Sequence, residues 1–173
     1  MTDNSNDYDL ARLRLAASPL FLRNEEVARG VGLLLLGQSH LLRSIDTVLR
    51  EAGIGAAHFR LLGHVAAWPG LAMSDVIALS GTSKQALSRV ARDLVTRGLI
   101  VVSSDSLDKR RRQLHATPTG HALERALTGA LMATMAGAYA GAGQDAVTGY
   151  WRVLEGLIPV AAHAHIAELA RRK

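Results

Sequence analysis

Between Thr82 and Thr117 the hydrophobic pattern changes period, and that change restricts the chain more than any other feature. Ala86, Leu87, Val90, Ala91, Leu94 and Val95 recur at the 3.6-residue spacing of one buried helix face. Thr82-x-x-Gln85 fits a capping box at the helix start, and Gly98 fits its end. Leu99-Ile-Val-Val-Ser103 then turns into a β-branched apolar run, which reads as a strand. Residues 104–110 are polar and form a hairpin tip, and residues 111–116 form a second strand. Thr117-Pro118 supplies the cap and first position of the next helix. A helix buried on one face therefore hands the chain directly to a hairpin that must lie beside it.

What precedes the helix completes a pattern. Residues 56–68 carry an apolar stripe of Phe59, Leu62, Val65 and Ala66, stopped by Pro69-Gly70. A short helix follows with Ser74 as its expected cap, and Ser80-Gly81 is the turn. Helix, short helix, glycine turn, capped helix, strand, basic hairpin, strand is the order of a winged helix-turn-helix, mainly α with a small β-wing. Upstream, residues 24–52 read as one long helix capped by Asn24, and its VGLLLL run is apolar nearly all round, as in a helix buried on more than one side. Downstream, a helix runs to about residue 140, Gly141-Ala-Gly143 breaks it, and a last helix over 144–172 is kinked or divided at Pro159.

Charge singles out the same segment. Residues 82–112 hold eight cations and three anions, a surplus equal to the formal +5 of the whole chain. A basic patch confined to 31 residues is the footprint expected of phosphate binding. With Leu87, Val90, Ala91 and Leu94 turned inward, Ser83, Lys84, Gln85, Ser88, Arg89 and Arg92 fall on the outer face. Arg pairs with guanine O6 and N7, and Gln with adenine N6 and N7, so Arg89 and Gln85 are the expected base readers. In the wing, Asp108, Lys109, Arg110 and Arg111 form the second set. Arg110 is expected to enter the minor groove, where negative potential concentrates, with Asp108 orienting its guanidinium.

The stretch from Met73 to Gly120 resembles the MarR family (multiple antibiotic resistance regulators). The resemblance is carried by Ser88-Arg89 in the reading helix, Leu94 followed by Gly98-Leu99-Ile100, Asp108-Lys109-Arg110 in the wing, and Ala116-Thr117-Pro118-Thr119-Gly120 at the entry to the next helix. Ala116 stands where the family pattern has Leu. The resemblance implies a homodimeric DNA-binding transcriptional regulator, in most cases a repressor, on a pseudo-palindromic double-stranded operator with half-sites ~10 bp apart. It also implies a base of interleaved first and last helices, whose rim takes a small anionic or aromatic effector. His40, Arg43, Trp68 and His115 are the candidates for that pocket. The expected organisation is a flexible arm over 1–20, an N-terminal dimerisation helix over 21–55, the DNA-binding domain over 56–117 and C-terminal dimerisation helices over 118–173.

Other classes find less support. No paired nucleophile and base, glycine-rich phosphate loop or metal-ligand cluster points to an enzyme, and no cofactor or metal is expected. The absence of cysteine excludes thiolate chemistry and a disulfide framework. His163-x-His165 and the six-residue step from His58 to His64 lack the i, i+4 spacing of helical zinc sites. The N-terminus starts polar and acidic, unlike a signal peptide, and a cytoplasmic location is expected. Residues 126–143 contain no charge and repeat Gly129, Ala133, Gly137 and Gly141, which raises the alternative of a membrane-associated or protein-binding helical scaffold without DNA readout. Ala, Gly and Thr contribute too little transfer energy for a span, so a soluble, closely packed helix is the expected state.

Overall fold

A computed structural model of the chain describes residues 23–104 and 112–171. The chain divides into two compact units, one ending at His40 and one starting at Leu41. Helix α1 (Asn24–Arg43) supplies the described part of the first unit and runs into the second. The second continues through α2 (Asp46–Glu51), α3 (Ala56–Ala67), β1 (Leu71–Ala72), α4 (Met73–Ser80), α5 (Lys84–Thr96), β2 (Ile100–Ser104), β3 (Arg112–Ala116), α6 (Pro118–Ala142), α7 (Gln144–Leu157) and α8 (Val160–Arg171).

The long N-terminal helix expected from sequence is broken. Ser44 and Ile45 form a turn, in which the Ser44 hydroxyl donates to the Leu41 carbonyl at 2.6 Å. Ile45 and Leu49 are buried there, so core packing overrides the continuous helical period. Within the single chain α1 contains no buried residue, and Val31, Leu33, Leu35 and Leu36 are each more than half exposed.

The core of the second unit is one apolar cluster. Leu61, Leu62 and Val65 from α3, Val76 from α4, Leu87 and Leu94 from α5, and Ile100 and Leu114 from the hairpin meet in it. At roughly 1.5–3 kcal/mol for each fully buried aliphatic side chain, this cluster is the main attraction holding reader and hairpin together. Leu127 of α6 and Leu169 of α8 join it, and α8 packs on α4. The sheet is antiparallel in the order β1-β3-β2, with Leu71 opposite Leu114 and Val102 also opposite Leu114 on the other side. Strand β1 was not expected from the sequence, because two residues carry no alternation.

Two caps differ from expectation by one or two residues. Helix α5 is capped by Ser83, whose Oγ accepts from the Ala86 N–H at 3.3 Å, not by Thr82. Thr82 is half-buried against the α3–α4–α5 cleft, and its own N–H donates to Ser80 Oγ. Helix α4 begins at Met73 before Ser74; its first turn is closed by Asp75, whose carboxylate accepts from the Ala72 N–H at 3.1 Å. Thr117 does cap α6, accepting from the Gly120 N–H at 3.0 Å, with Pro118 in the first turn. The last helix is divided at Ile158-Pro159, as proline requires, and His163 hydrogen-bonds the Glu155 carbonyl across the break. Among the described residues, no helix is long and apolar enough to cross a membrane.

Candidate nucleic-acid interface

Helix α5 owes its place to its inner face. Leu87, Ala91 and Leu94 are buried, and at the C-terminal end the Gly98 and Leu99 N–H groups donate to the Val95 and Leu94 carbonyls, both at 2.9 Å. This satisfies carbonyls that a helix end otherwise leaves open, and turns the chain into β2. The Ser83 cap spends one N-terminal N–H; the rest of that turn faces outward with the positive end of the helix dipole.

On the outer face Ser83, Lys84, Gln85, Arg89 and Arg92 are exposed and Ser88 is half-buried. The structure thus brings five of the six expected reading residues onto α5, with Ser83 as its N-cap. Lys84, Ser88 and Arg92 line a cleft of about 1100 Å³ between α5 and the hairpin, and Arg112 of β3 lies on its opposite wall. Arg89 lines a second cleft, with His58 and Asp93, and Arg92 borders both. Lys84 and Arg89 make no ion pair with any described residue, so both charges are available to a ligand. Two positions expected in the buried stripe differ: Val95 is 41% exposed and Ala86 is exposed. The hairpin leaves a groove beside α5, and Val95 forms part of its floor. The wing residues Asp108, Lys109, Arg110 and Arg111 lie outside the described residues.

Sequence reading missed a polar cluster behind Arg89. Asp93 Oδ2 accepts from His58 Nε2 at 2.8 Å and from Arg97 Nε at 3.1 Å. These contacts, Arg97 foremost, hold the Asp93 carboxyl below the ordinary carboxylate value. The i, i+4 spacing of Asp93 and Arg97 is legible in the sequence; His58, on another helix, leaves no such signal.

Comparison with known proteins gives this geometry its family. The chain is 35% identical over 146 residues to the HTH-type transcriptional regulator PetP of Rhodobacter capsulatus, covering 84% of this chain and 88% of that protein. The family model described as MarR family matches residues 52–111, the segment holding α3, α4, α5 and β2. The chain belongs to the MarR family. Solved structures share the fold. A MarR-family regulator from Silicibacter pomeroyi has a TM-score of 0.64 at 19% identity, covering 83% of this chain and 98% of that one. A mutant of MepR from S. aureus, bound to an oligodeoxyribonucleotide, has a TM-score of 0.54 at 19% identity over 73% of this chain and 94% of that one. CouR from Rhodococcus jostii RHA1, bound to p-coumaroyl-CoA, has a TM-score of 0.58 at 24% identity over 72% and 87%. As a MarR-family winged-helix protein, the chain is a DNA-binding transcriptional regulator.

Of the residues suggested for an effector pocket, Arg43, Trp68 and His115 belong to the second unit. His115 lies beside Gly70, two residues from Trp68: its Cε1 is 3.6 Å from where a Gly70 Cβ would stand. Its Nε2 is 3.0 Å from Ser103 Oγ, and Trp68 is half-buried and stacked on His64 with ring centroids 5.9 Å apart. Arg43 is exposed at the end of α1, and His40 belongs to the first unit. Among the described residues, no group of three or more His, Asp or Glu side chains is placed to hold a metal ion.

Proposed function

We propose that this MarR-family chain binds a pseudo-palindromic operator as a homodimer, represses transcription there, and is released by a small anionic or aromatic effector. The observation that carries the reading is the outer face of α5: Lys84 and Arg89, without ion-pair partners among the described residues, project from a helix whose opposite face is locked in the core. In this reading α5 lies in the major groove, Arg89 and Gln85 read base edges, and Ser83, Lys84, Ser88 and Arg92 contact bases or phosphates. The same reading gives the minor groove to the wing sequence Asp108-Lys109-Arg110-Arg111.

Dimerisation is favoured by apolar side chains that one subunit leaves bare. On α1 these include Leu33 at 61% and Leu35 at 58%, and on α7 Trp151 at 51% and Val153 at 64%. Exposed large apolar side chains in such numbers on a helix favour an interaction site. Met132 is 66% exposed on α6 and is assigned to the same buried-on-dimerisation class. The effector part of the reading draws on the Trp68–His115 corner, and on the acyl-CoA bound by CouR as an example of an anionic aromatic ligand on this fold.

The test is a fluorescence-anisotropy titration on duplexes enriched by the protein from a random pool, at several salt concentrations. The expected result is an enriched pseudo-palindrome bound with an affinity that falls linearly on log–log axes with salt. Enrichment of no motif, or sedimentation as a single subunit at micromolar concentration, would overturn the reading.

A further inference from the structure

The recognition helix contains a single anion, Asp93, among the cations Lys84, Arg89 and Arg92 and next to Arg97 at its C-cap. A carboxylate there opposes phosphate binding, and the structure shows what it does instead. Its partner His58 sits in the first turn of α3 with Nδ1 accepting from the Gly55 N–H at 3.2 Å. An accepting Nδ1 carries no hydrogen, so the ring proton is on Nε2 and points at Asp93, 2.8 Å away. Arg97 gives its Nε to Asp93 at 3.1 Å and its Nη1 to the Ala52 carbonyl, just past α2, at 3.4 Å. Gly53 makes room for that reach. Its backbone is left-handed, and a Cβ there would stand 2.9 Å from Arg97 Nη1. One carboxylate thus joins the α2–α3 corner to α5 and keeps the Arg97 guanidinium turned toward the protein body. Asp93 also lines the same cleft as Arg89, one turn earlier on the same flank.

Exposed ion pairs of this kind contribute little to stability. Asp93 and Arg97 are both more than a third exposed, so a purely stabilising role accounts poorly for a three-way arrangement on a DNA-reading helix. We infer that Asp93 is a specificity-determining residue of the DNA interface: it withholds Arg97 from phosphate and lowers the charge on the Arg89 flank, so that non-cognate DNA gains less from the helix than the operator does. Non-specific affinity comes from phosphate contacts, each adding about 0.9 to the slope of log affinity against log salt. Removing a restraining anion therefore strengthens non-specific binding, whereas the operator complex, whose helix is held in register by its base contacts, gains less from the freed Arg97. The inference rests on the proposed DNA-reading role of α5.

The experiment compares wild type, Asp93→Asn, Arg97→Gln and the double variant on two duplexes, the pool-enriched sequence and a scrambled one of equal length, over a range of salt. Asp93→Asn is expected to bind the scrambled duplex roughly 3–10-fold more tightly, with a salt slope steeper by about 0.9 per subunit, and to lose that factor in the ratio of specific to non-specific affinity. The double variant restores the wild-type charge balance and is expected to return slope and ratio toward wild type. Thermal melts check that all four fold. A role confined to structure predicts weaker binding to both duplexes and no steepening. Asp93→Asn with the slope and ratio of wild type overturns the inference, as does a double variant no different from Asp93→Asn. Failure of wild type to prefer any sequence would instead remove the underlying DNA-reading proposal, so the two failures are distinguishable.

Discussion

Replacing Gly120 by alanine tests how the reader is fixed to the long helix α6. A Cβ at Gly120 would stand 2.0 Å from the Leu99 carbonyl oxygen and 3.4 Å from Leu62 Cδ1. The oxygen is backbone and cannot swing aside, so α6 and β2 must separate by at least about 1 Å to reach the closest tolerable carbon contact. That gap is closed by the Thr117 N–H donating to the Leu99 carbonyl at 3.1 Å and the Thr117 hydroxyl donating to the Gly98 carbonyl at 2.7 Å. Stretching both forfeits about 2 kcal/mol at roughly 1 kcal/mol each. Residual overpacking adds about 1–3 kcal/mol, and the better helix propensity of alanine returns about 1 kcal/mol. The net loss is about 3 kcal/mol, which lowers the melting temperature of a domain this size by roughly 6–12 °C. The assay is a thermal melt followed by circular dichroism, with Gly63→Ala as control. Gly63 lies inside α3, and a Cβ there meets nothing within 4 Å, so that variant is expected to melt at or slightly above wild type. A Gly120→Ala protein as stable as wild type would refute the steric argument.

Other expectations follow from the same geometry. Arg89→Ala is expected to weaken operator binding by about 1–3 kcal/mol, since a bidentate base contact is lost, with an unchanged melting temperature because the side chain is exposed; equal operator affinity in an anisotropy titration removes Arg89 as a reader. Ser83→Ala is expected to cost about 1 kcal/mol of stability through the lost cap, and Thr82→Ala less, in denaturant titrations; the reverse order would restore Thr82 as the cap. Burial, then the charge of Arg60, hold His64 below the ordinary imidazole value of 6.5. The unfolded chain therefore binds the proton more readily, so this contribution is present above pH 6.5 and is lost as pH falls through the folded-state value. His64→Phe, which retains an aromatic ring beside Trp68, is expected to flatten the decline of melting temperature between about pH 7 and pH 5; an unchanged decline places the acid sensitivity elsewhere.

What the sequence made legible was local. The stripe of Leu87, Ala91 and Leu94, the β-branched run after Gly98, the Thr117 cap and the break at Pro159 each follow from neighbours within a few residues, and the structure has them all. The outer face of α5 followed too, because fixing one face of a helix fixes the other. What escaped needed information from farther along the chain. Strand β1 exists only because Leu71 and Ala72 meet Leu114 and Gln113. The turn at Ser44-Ile45 exists because Ile45 is drawn into the core, while its neighbours still carry a helical pattern. The His58–Asp93 contact spans 35 positions between two helices. The apolar run of α1 is a different case: its residues read as buried, yet none of them is buried in the single chain.

The bonds from Thr117 to Gly98 and Leu99 also bear on motion. They fasten the opening turn of the 25-residue helix α6 to the residues that end the reading helix, with no free linker between the two. A tilt imposed on the far end of α6 is therefore expected to reach α5 through these bonds, as along a lever. Gly143, at positive φ between α6 and α7, is the expected joint at the far end of that lever.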